Sequence, residues 1–487
     1  MASNAERASI SSFEPKSSRT FTPSLAVIAR SAGVFHWTPE GRKLYDFTSG
    51  VLVANLGHNP TEWTKRFFDY MGWTEGSDGP FVPSPLQNGH ASQSIPSGFF
   101  PGVPYTAYNA VTIIETEACK RLLALMRRST RGTRFNQVLW AASGSEAVQK
   151  ALWAAMSRDK SRNMILATRW GFHGKKGLAG ATTGTENDPE RDPRVKFISF
   201  PMDYNDISLR NKPFDPEPYI RELEAAKQQY GRRFCALITE PYLGGGGSYH
   251  PPKQYLQLLQ NFCRENDIVF ILDEVQANFG RCGTMFAYEK YDIEPDMVVL
   301  GKGLGNGVPV AAVVGRKDLF AKMEYGEGSD TWSANPLSCA SVLATIDEFE
   351  AHNLIPHTNH VSKIIEEGLI QLKELPFIAH VRGEEGGMVW GVETKEYDGR
   401  TAQEWANLIV LAGYRGNGVE GIHLLGPLAK KVIRISPPLV ITEQQAKESV
   451  ALLKKFLFNL VEKKELPPPT GSGSFSRVPV VAPANQS

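Results

Sequence analysis

Short apolar runs at 137–140, 164–167, 235–239, 269–272, 297–300 and 309–314 dominate the middle of the chain, and most are followed by a loop and then a helical pattern. Runs of this length without polar alternation predict strands buried on both faces. Their alternation with helices predicts an α/β fold, a mostly parallel sheet with helices packed on it. In such sheets ligands bind beyond the carboxyl ends of the strands. The ends of the chain differ. Residues 34–47 read as a hairpin turning at 39–41, and 444–460 carries Val450, Leu453, Phe456, Leu457 and Leu460 at helical spacing. Residues 1–20 are polar and Ser-rich, and the chain from Pro467 onward is rich in Pro, Gly and Ser, so both are expected to be loosely attached.

A length of 487 residues allows two or three domains with a substantial core. The net charge of +1 gives no footprint for nucleic acid or a membrane surface, and the run Arg127, Arg128, Arg131 and Arg134 reads as a solvated loop. Cys119, Cys235, Cys263, Cys282 and Cys339 are scattered and form no Cys-x-x-Cys pair, so neither a disulfide framework nor a metal site is indicated. A reducing, cytoplasmic setting is expected. The longest clear apolar run, 308–314, is far too short to span a bilayer, and the N-terminus has no signal-peptide core.

Candidate chemistry gathers where strands end. Asp273 closes one apolar run, and Lys302 follows another, between Gly301 and Gly303. A lysine in so apolar a place loses part of its ammonium's hydration, which makes the amine a better nucleophile and suits imine formation. Asp273 could instead be a helix cap, and Lys302 a nucleotide-loop lysine. Against the second stands Gly303, where a phosphate loop needs Ser or Thr. A non-catalytic phosphate binder built on the glycines at 244–247 and 301–307 is the rival from another class. Ser143-Gly144-Ser145 opens a helix after the run at 137–140, as an N-cap or as an anion-binding turn. Phe172 and His173, in Trp170-Gly171-Phe172-His173-Gly174, read as core filler and a loop histidine, or as a ring stacked on a flat ligand. Arg434 ends a short apolar run and, on its own, reads as a surface arginine.

Taken together, Ser143-Gly144-Ser145-Glu146-Ala147, Phe172-His173-Gly174, Asp273-Glu274-Val275-Gln276, Lys302, Thr331-Trp332 with Asn335-Pro336, and Arg434-x-x-Pro437-Pro438-Leu439 resemble the class III aminotransferases over about 23–460. These are pyridoxal-phosphate enzymes of fold type I, related to 4-aminobutyrate and omega-aminotransferases. The resemblance implies that Lys302 carries pyridoxal 5′-phosphate as an imine, and that Asp273 faces the pyridine nitrogen. It further implies that Ser143, Gly144 and Ser145 hold the phosphate, Phe172 and Val275 flank the ring, and Gln276 donates to the ring hydroxyl oxygen. His173 is structural support. Thr331 would reach the phosphate of the other subunit's cofactor, which makes the protein a homodimer. Arg434 would take a substrate carboxylate, with Glu240 neutralising it when the substrate has none.

The expected reaction moves an amino group from an amine or omega-amino acid to pyruvate or 2-oxoglutarate. Decarboxylation-dependent transamination or an aminomutase is the alternative. Two departures stand out. Lys175 occupies the position after His-Gly where relatives acting on omega-carboxylates usually carry arginine, and the stretch 63–104 is longer than is usual. The domains implied are a tail over 1–20, the first part of a small domain over 21–75, a large cofactor-binding domain over 76–335, the rest of the small domain over 336–465, and a tail over 466–487.

Overall fold

A computed structural model describes residues 2–73, 102–108, 110–188 and 191–463. Its central sheet has seven strands in the order Gln137–Ala141, Ala311–Gly315, Met297–Leu300, Val269–Asp273, Phe234–Thr239, Met164–Thr168 and Val195–Ile198. Ala311–Gly315 alone runs antiparallel to its neighbours. All six expected runs are strands. The last starts at Ala311 because Pro309, having no N–H, cannot join the ladder. Val195–Ile198 escapes sequence reasoning: Lys196 interrupts its apolar character, and it pairs on one side only, with Met164–Thr168.

Every residue of Phe234–Thr239, Val269–Asp273 and Met297–Leu300 is buried, because helices cover both faces. On one face lies the helix Gly144–Ser157, whose Ala147, Ala151 and Ala155 let it approach closely while Val148 and Leu152 fill the core. The other face packs on Ile114, Leu122 and Met126 of the helix Ile113–Met126, among others. Each fully buried Val, Leu or Ile is worth about 1.5–3 kcal/mol, so the strand ends that carry the chemistry stand on the most strongly held part of the molecule.

Outside the central sheet lie two smaller ones, and the chain ends meet in the first of them. The hairpin of Phe35–Trp37 and Lys43–Asp46 forms with Trp37 opposite Lys43, and Gly41 turns it at φ +82°. Glu420–His423 adds in parallel to Lys43–Asp46, so segments far apart in sequence share one sheet. Val432–Ile435 lies in a three-stranded sheet with Ile378–Gly383 and Trp390–Thr394, and the helix Glu443–Lys463 buries the apolar stripe expected of it.

The N-terminal segment departs from expectation. Ala2–Phe13 is a helix, docked where Ser3 Oγ donates to Glu40 Oε2 (2.6 Å) and Arg7 Nη2 donates to Tyr414 Oη (3.0 Å). Polar tertiary contacts of this kind leave no apolar periodicity to read. Within the long stretch after Trp63, the helix Thr61–Met71 packs Trp63 and Phe67 into the core. Residues 74–101, and the expected C-terminal tail over 466–487, lie outside the described residues. The arginine run is paired with acids: Arg131 with Asp292 (2.6 Å) and Glu294 (3.0 Å), and Arg134 with Asp296 (2.8 Å). All five cysteines are free thiols, and no helix among the described residues is long and apolar enough to cross a membrane.

Candidate active site

The carboxyl ends of the parallel strands bring four segments together. Val269–Asp273 delivers Asp273, buried, with Oδ1 accepting from the Val275 amide (3.0 Å) and Oδ2 facing Nδ1 of His173 (2.7 Å). His173 is itself buried, so the pair fixes the carboxylate's direction as well as its place. Glu274 has a separate task. It accepts from the amides of Ala287 (2.7 Å) and Tyr288 (2.8 Å), and burial pushes its carboxyl up to about 8.

Lys302 follows Met297–Leu300 with a left-handed backbone, φ +47°. That conformation costs a non-glycine residue about 1–2 kcal/mol, and such strain collects at functional positions. Asn278 supports it by donating to the Gly301 carbonyl (3.1 Å). Burial brings the Lys302 ammonium down to about 8, Arg434 adds to the lowering, and the charges of Asp273 and Glu240 oppose it. The amine is therefore coupled electrostatically to three of the residues expected to surround it.

Ser143 caps the helix Gly144–Ser157 through a capping box: its Oγ accepts from the Glu146 amide (3.3 Å), and Glu146 Oε2 accepts from the Ser143 amide (3.1 Å). The amides of Gly144 and Ser145 take no hydrogen-bond partner among the described residues, the first-turn arrangement that attracts a phosphate. Gly174 closes the other side at φ +148°, so near that an added Cβ would lie 2.2 Å from Ser145 Oγ. Gly174→Ala is therefore expected to displace Ser145 and weaken cofactor binding about tenfold or more, measurable by equilibrium dialysis against pyridoxal 5′-phosphate. Val275 stands between this turn and the lysine: Cβ atoms added at Gly144 and Gly301 would lie 3.1 and 3.3 Å from its Cγ1.

Glu240, just past Phe234–Thr239, is buried and accepts from the amides of Phe172 (2.9 Å) and Gly244 (3.2 Å). Burial raises its carboxyl to about 7, with the His173 charge opposing and Asp273 reinforcing. Phe172 is thereby held by its backbone while its ring stays partly exposed. Arg434 is buried on Val432–Ile435 and donates from Nη1 to Gln276 Oε1 (3.2 Å), not to Glu240. Its Nε is buried without a partner among the described residues. A buried guanidinium held by one neutral amide is short of an anion, which suits a carboxylate reader.

Two expected site residues lie outside this cluster. Thr331 is exposed on a turn that Lys150 anchors, bonding Asp330 (2.7 Å) and the Trp140 carbonyl (2.7 Å). Lys175 is exposed on the turn after Gly174. Sequence reasoning also passed over Arg281, which is fully buried. It donates to the carbonyls of Met388 (2.9 Å) and Pro437 (2.7 Å), to Asn55 Oδ1 (2.6 Å) and to Ser49 Oγ (3.1 Å), tying both chain ends to the large sheet beside Arg434. Its only signal is a charged residue amid Phe279, Gly280, Cys282 and Gly283.

An amine poised by burial, a clamped carboxylate and an anion-binding turn at one sheet edge define an enzyme of the fold-type I class. The comparisons make the class specific. The family model "Aminotransferase class-III" matches residues 103–457. The acetylornithine aminotransferase of Oceanobacillus iheyensis is 26% identical over 437 residues, covering 88% of this chain and 93% of that one. The probable 4-aminobutyrate aminotransferase of Bacillus subtilis is 29% identical over 447 residues, covering 88% and 92%. Among solved structures, the ornithine aminotransferase of Toxoplasma gondii superposes with a TM-score of 0.75 at 21% identity, covering 95% of this chain and 96% of that one.

The chain belongs to the class III aminotransferase family. It is a pyridoxal-phosphate-dependent transaminase of fold type I, moving amino groups to keto acids, and the decarboxylation-dependent or aminomutase alternative is not favoured. The residues present fit the cofactor. The first-turn amides of Gly144 and Ser145 suit a phosphate, Val275 packs against both Gly144 and Gly301, and Lys302 is coupled electrostatically to Asp273.

Proposed function

We propose that this transaminase takes its amino group from an amine or omega-amino acid, passes it to pyruvate or 2-oxoglutarate, and uses Lys302 and Asp273 as its reacting pair. The observation that carries this is Lys302 itself: buried, left-handed, and within electrostatic reach of Asp273, Glu240 and Arg434. Bound pyridoxal phosphate supplies an electron sink for the pair left when the substrate's Cα–H bond breaks. Lys302 tethers the cofactor through Nζ and, once displaced, carries the proton away from the substrate carbon. Asp273, aimed by His173 and the Val275 amide, would keep the pyridine nitrogen protonated. The Ser143, Gly144 and Ser145 turn would hold the phosphate, Phe172 and Val275 would pack on the ring, and Gln276 would donate to its hydroxyl oxygen.

Arg434 would grip the carboxylate of the keto acid, leaving Gln276 as it does so. Glu240, with its carboxyl raised to about 7, would offer it a counter-charge when the substrate brings none. Lys175, exposed nearby in sequence, would touch only the outer end of an omega-carboxylated substrate. The exposed turn bearing Thr331 and Trp332 supports a homodimer in which Thr331 approaches the partner's phosphate site. Five free thiols suit a cytoplasmic home.

Arg434→Ala tests the substrate assignment. Losing a charge-assisted grip worth about 2–3 kcal/mol should lower kcat/KM for pyruvate and 2-oxoglutarate about thirty- to a hundred-and-fifty-fold. A simple amine without a carboxylate should lose little as donor in its own half-reaction. Equal losses for all three would make Arg434 a support of the fold and overturn its role as reader.

A further inference from the structure

A second polar cluster lies away from the active site, inside the sheet that joins the chain ends. Asp46 is fully buried, and its Oδ2 faces His58 Nε2 at 2.7 Å and His36 Nε2 at 3.5 Å. His423, on the neighbouring strand, brings a ring nitrogen within 4.8 Å of ligand atoms on both His36 and Asp46. Its Nδ1 is buried and has no hydrogen-bond partner among the described residues. The rings of His36 and His58 lie 4.4 Å apart, and those of His36 and His423 lie 5.3 Å apart.

The surroundings aim these atoms inward. Ser31 Oγ bonds His36 Nδ1 (2.6 Å), which turns Nε2 toward Asp46. The Thr48 amide and hydroxyl both donate to Asp46 Oδ1 (2.7 Å each), leaving Oδ2 as the atom shared by the histidines. Outer partners of this kind orient metal ligands. Two imidazoles face one carboxylate oxygen, and a third lies within 4.8 Å of the carboxylate with a buried nitrogen that has no partner among the described residues.

We propose that His36, Asp46, His58 and His423 bind one divalent transition-metal ion, with zinc the best match, as a structural clamp on the small sheet. Tetrahedral zinc with bonds of about 2.0–2.1 Å places neighbouring ligand atoms about 3.3 Å apart. The His36–Asp46 separation already meets this, and His36, Asp46 and His423 bring ligand atoms within 4.8 Å of one another. His58, on the loop after Gly57 and the more exposed of the two rings that contact Asp46, stands outside that set and completes it only by swinging off Asp46 toward the shared centre. Four protein ligands close the coordination sphere, which marks a structural and not a catalytic ion. The ligands come from the hairpin, the following loop and a strand near the other end of the chain, so the ion would hold those ends together. It would also steady Phe47, whose carbonyl accepts from Ser436 (2.9 Å), two residues past Arg434. Sequence reasoning had no motif to find, because no two of these ligands share a zinc-type spacing.

The holoenzyme, stripped with a chelator and dialysed against zinc chloride, should take up one zinc per chain by elemental analysis and melt several degrees higher. His58→Gln and the double variant His36→Gln/His423→Ala should each bind zinc at least about a hundredfold more weakly and lose the rise in Tm, while His360→Ala, an exposed control, should match the wild type. Sub-stoichiometric zinc with no shift in Tm would show a purely hydrogen-bonded cluster and overturn the proposal. So would full zinc uptake by both variants. If the variants do not fold, X-ray absorption at the zinc edge of the wild type decides: three imidazoles and one oxygen support the site, and any sulfur ligand or fewer imidazoles overturns it.

Discussion

Lys302→Ala is expected to abolish steady-state transamination. The proton-transfer role alone contributes about a hundred- to ten-thousandfold, and the lost covalent tether adds to that, so residual turnover should fall to roughly one part in ten thousand or less. The fold should survive. Lys302 is a buried amine whose ammonium is disfavoured, with its ordinary value of 10.5 brought down to about 8. Between those values the unfolded chain binds the proton more readily than the folded one, so apoprotein stability should rise as pH climbs from about 8 toward 10.5. Below about 8 the penalty for burying the charge is present in full. Lys302→Ala removes it, so the variant apoprotein should melt no lower than wild type at neutral pH and should lack that rise. Stopped-flow half-reactions, with melting curves across this pH range, check both parts. Near-normal turnover in a preparation free of wild-type enzyme would sink the assignment of Lys302.

Why these residues were legible in the sequence, and others not, has a physical basis. Strands such as Val269–Asp273 and Met297–Leu300 are buried on both faces, so their apolar runs are unbroken, and a charged residue at the end of such a run is conspicuous. Asp273 and Lys302 stand out for that reason. The edge strand Val195–Ile198 and the helix Ala2–Phe13 are held by partial burial and by polar contacts such as Ser3 with Glu40, which leave no periodic trace.

Within the site, residue identity was more legible than pairing. Glu240 and Arg434 were both picked out, yet Gln276 meets the arginine and two backbone amides meet the glutamate. Which of several polar partners a buried group takes depends on distances set by distant loops. The same holds for Arg281, whose four partners come from both ends of the chain, and for the histidines around Asp46.

Asp273→Asn should leave cofactor affinity within about tenfold and slow proton transfer far more. An opposite charge in contact moves a pKa by about 1–3 units, and each unit is worth about 1.4 kcal/mol. Loss of the carboxylate charge beside the pyridine nitrogen should therefore slow the half-reaction up to about a thousandfold, the upper end applying because Asp273 is buried. The amide keeps the acceptor for the Val275 N–H, so the turn before Gln276 should hold. Toward His173 it turns a donor where Oδ2 now stands, and the imidazole must move its proton to Nε2, a buried atom with no partner among the described residues. Asp273→Asn thus loses charge and misaims its neighbour at once. Asp273→Glu separates the two effects, since it restores the charge at a shifted position: if charge dominates, the glutamate variant should recover at least tenfold over the asparagine variant. Equal half-reaction rates in wild type and Asp273→Asn would show that some other group faces the pyridine nitrogen.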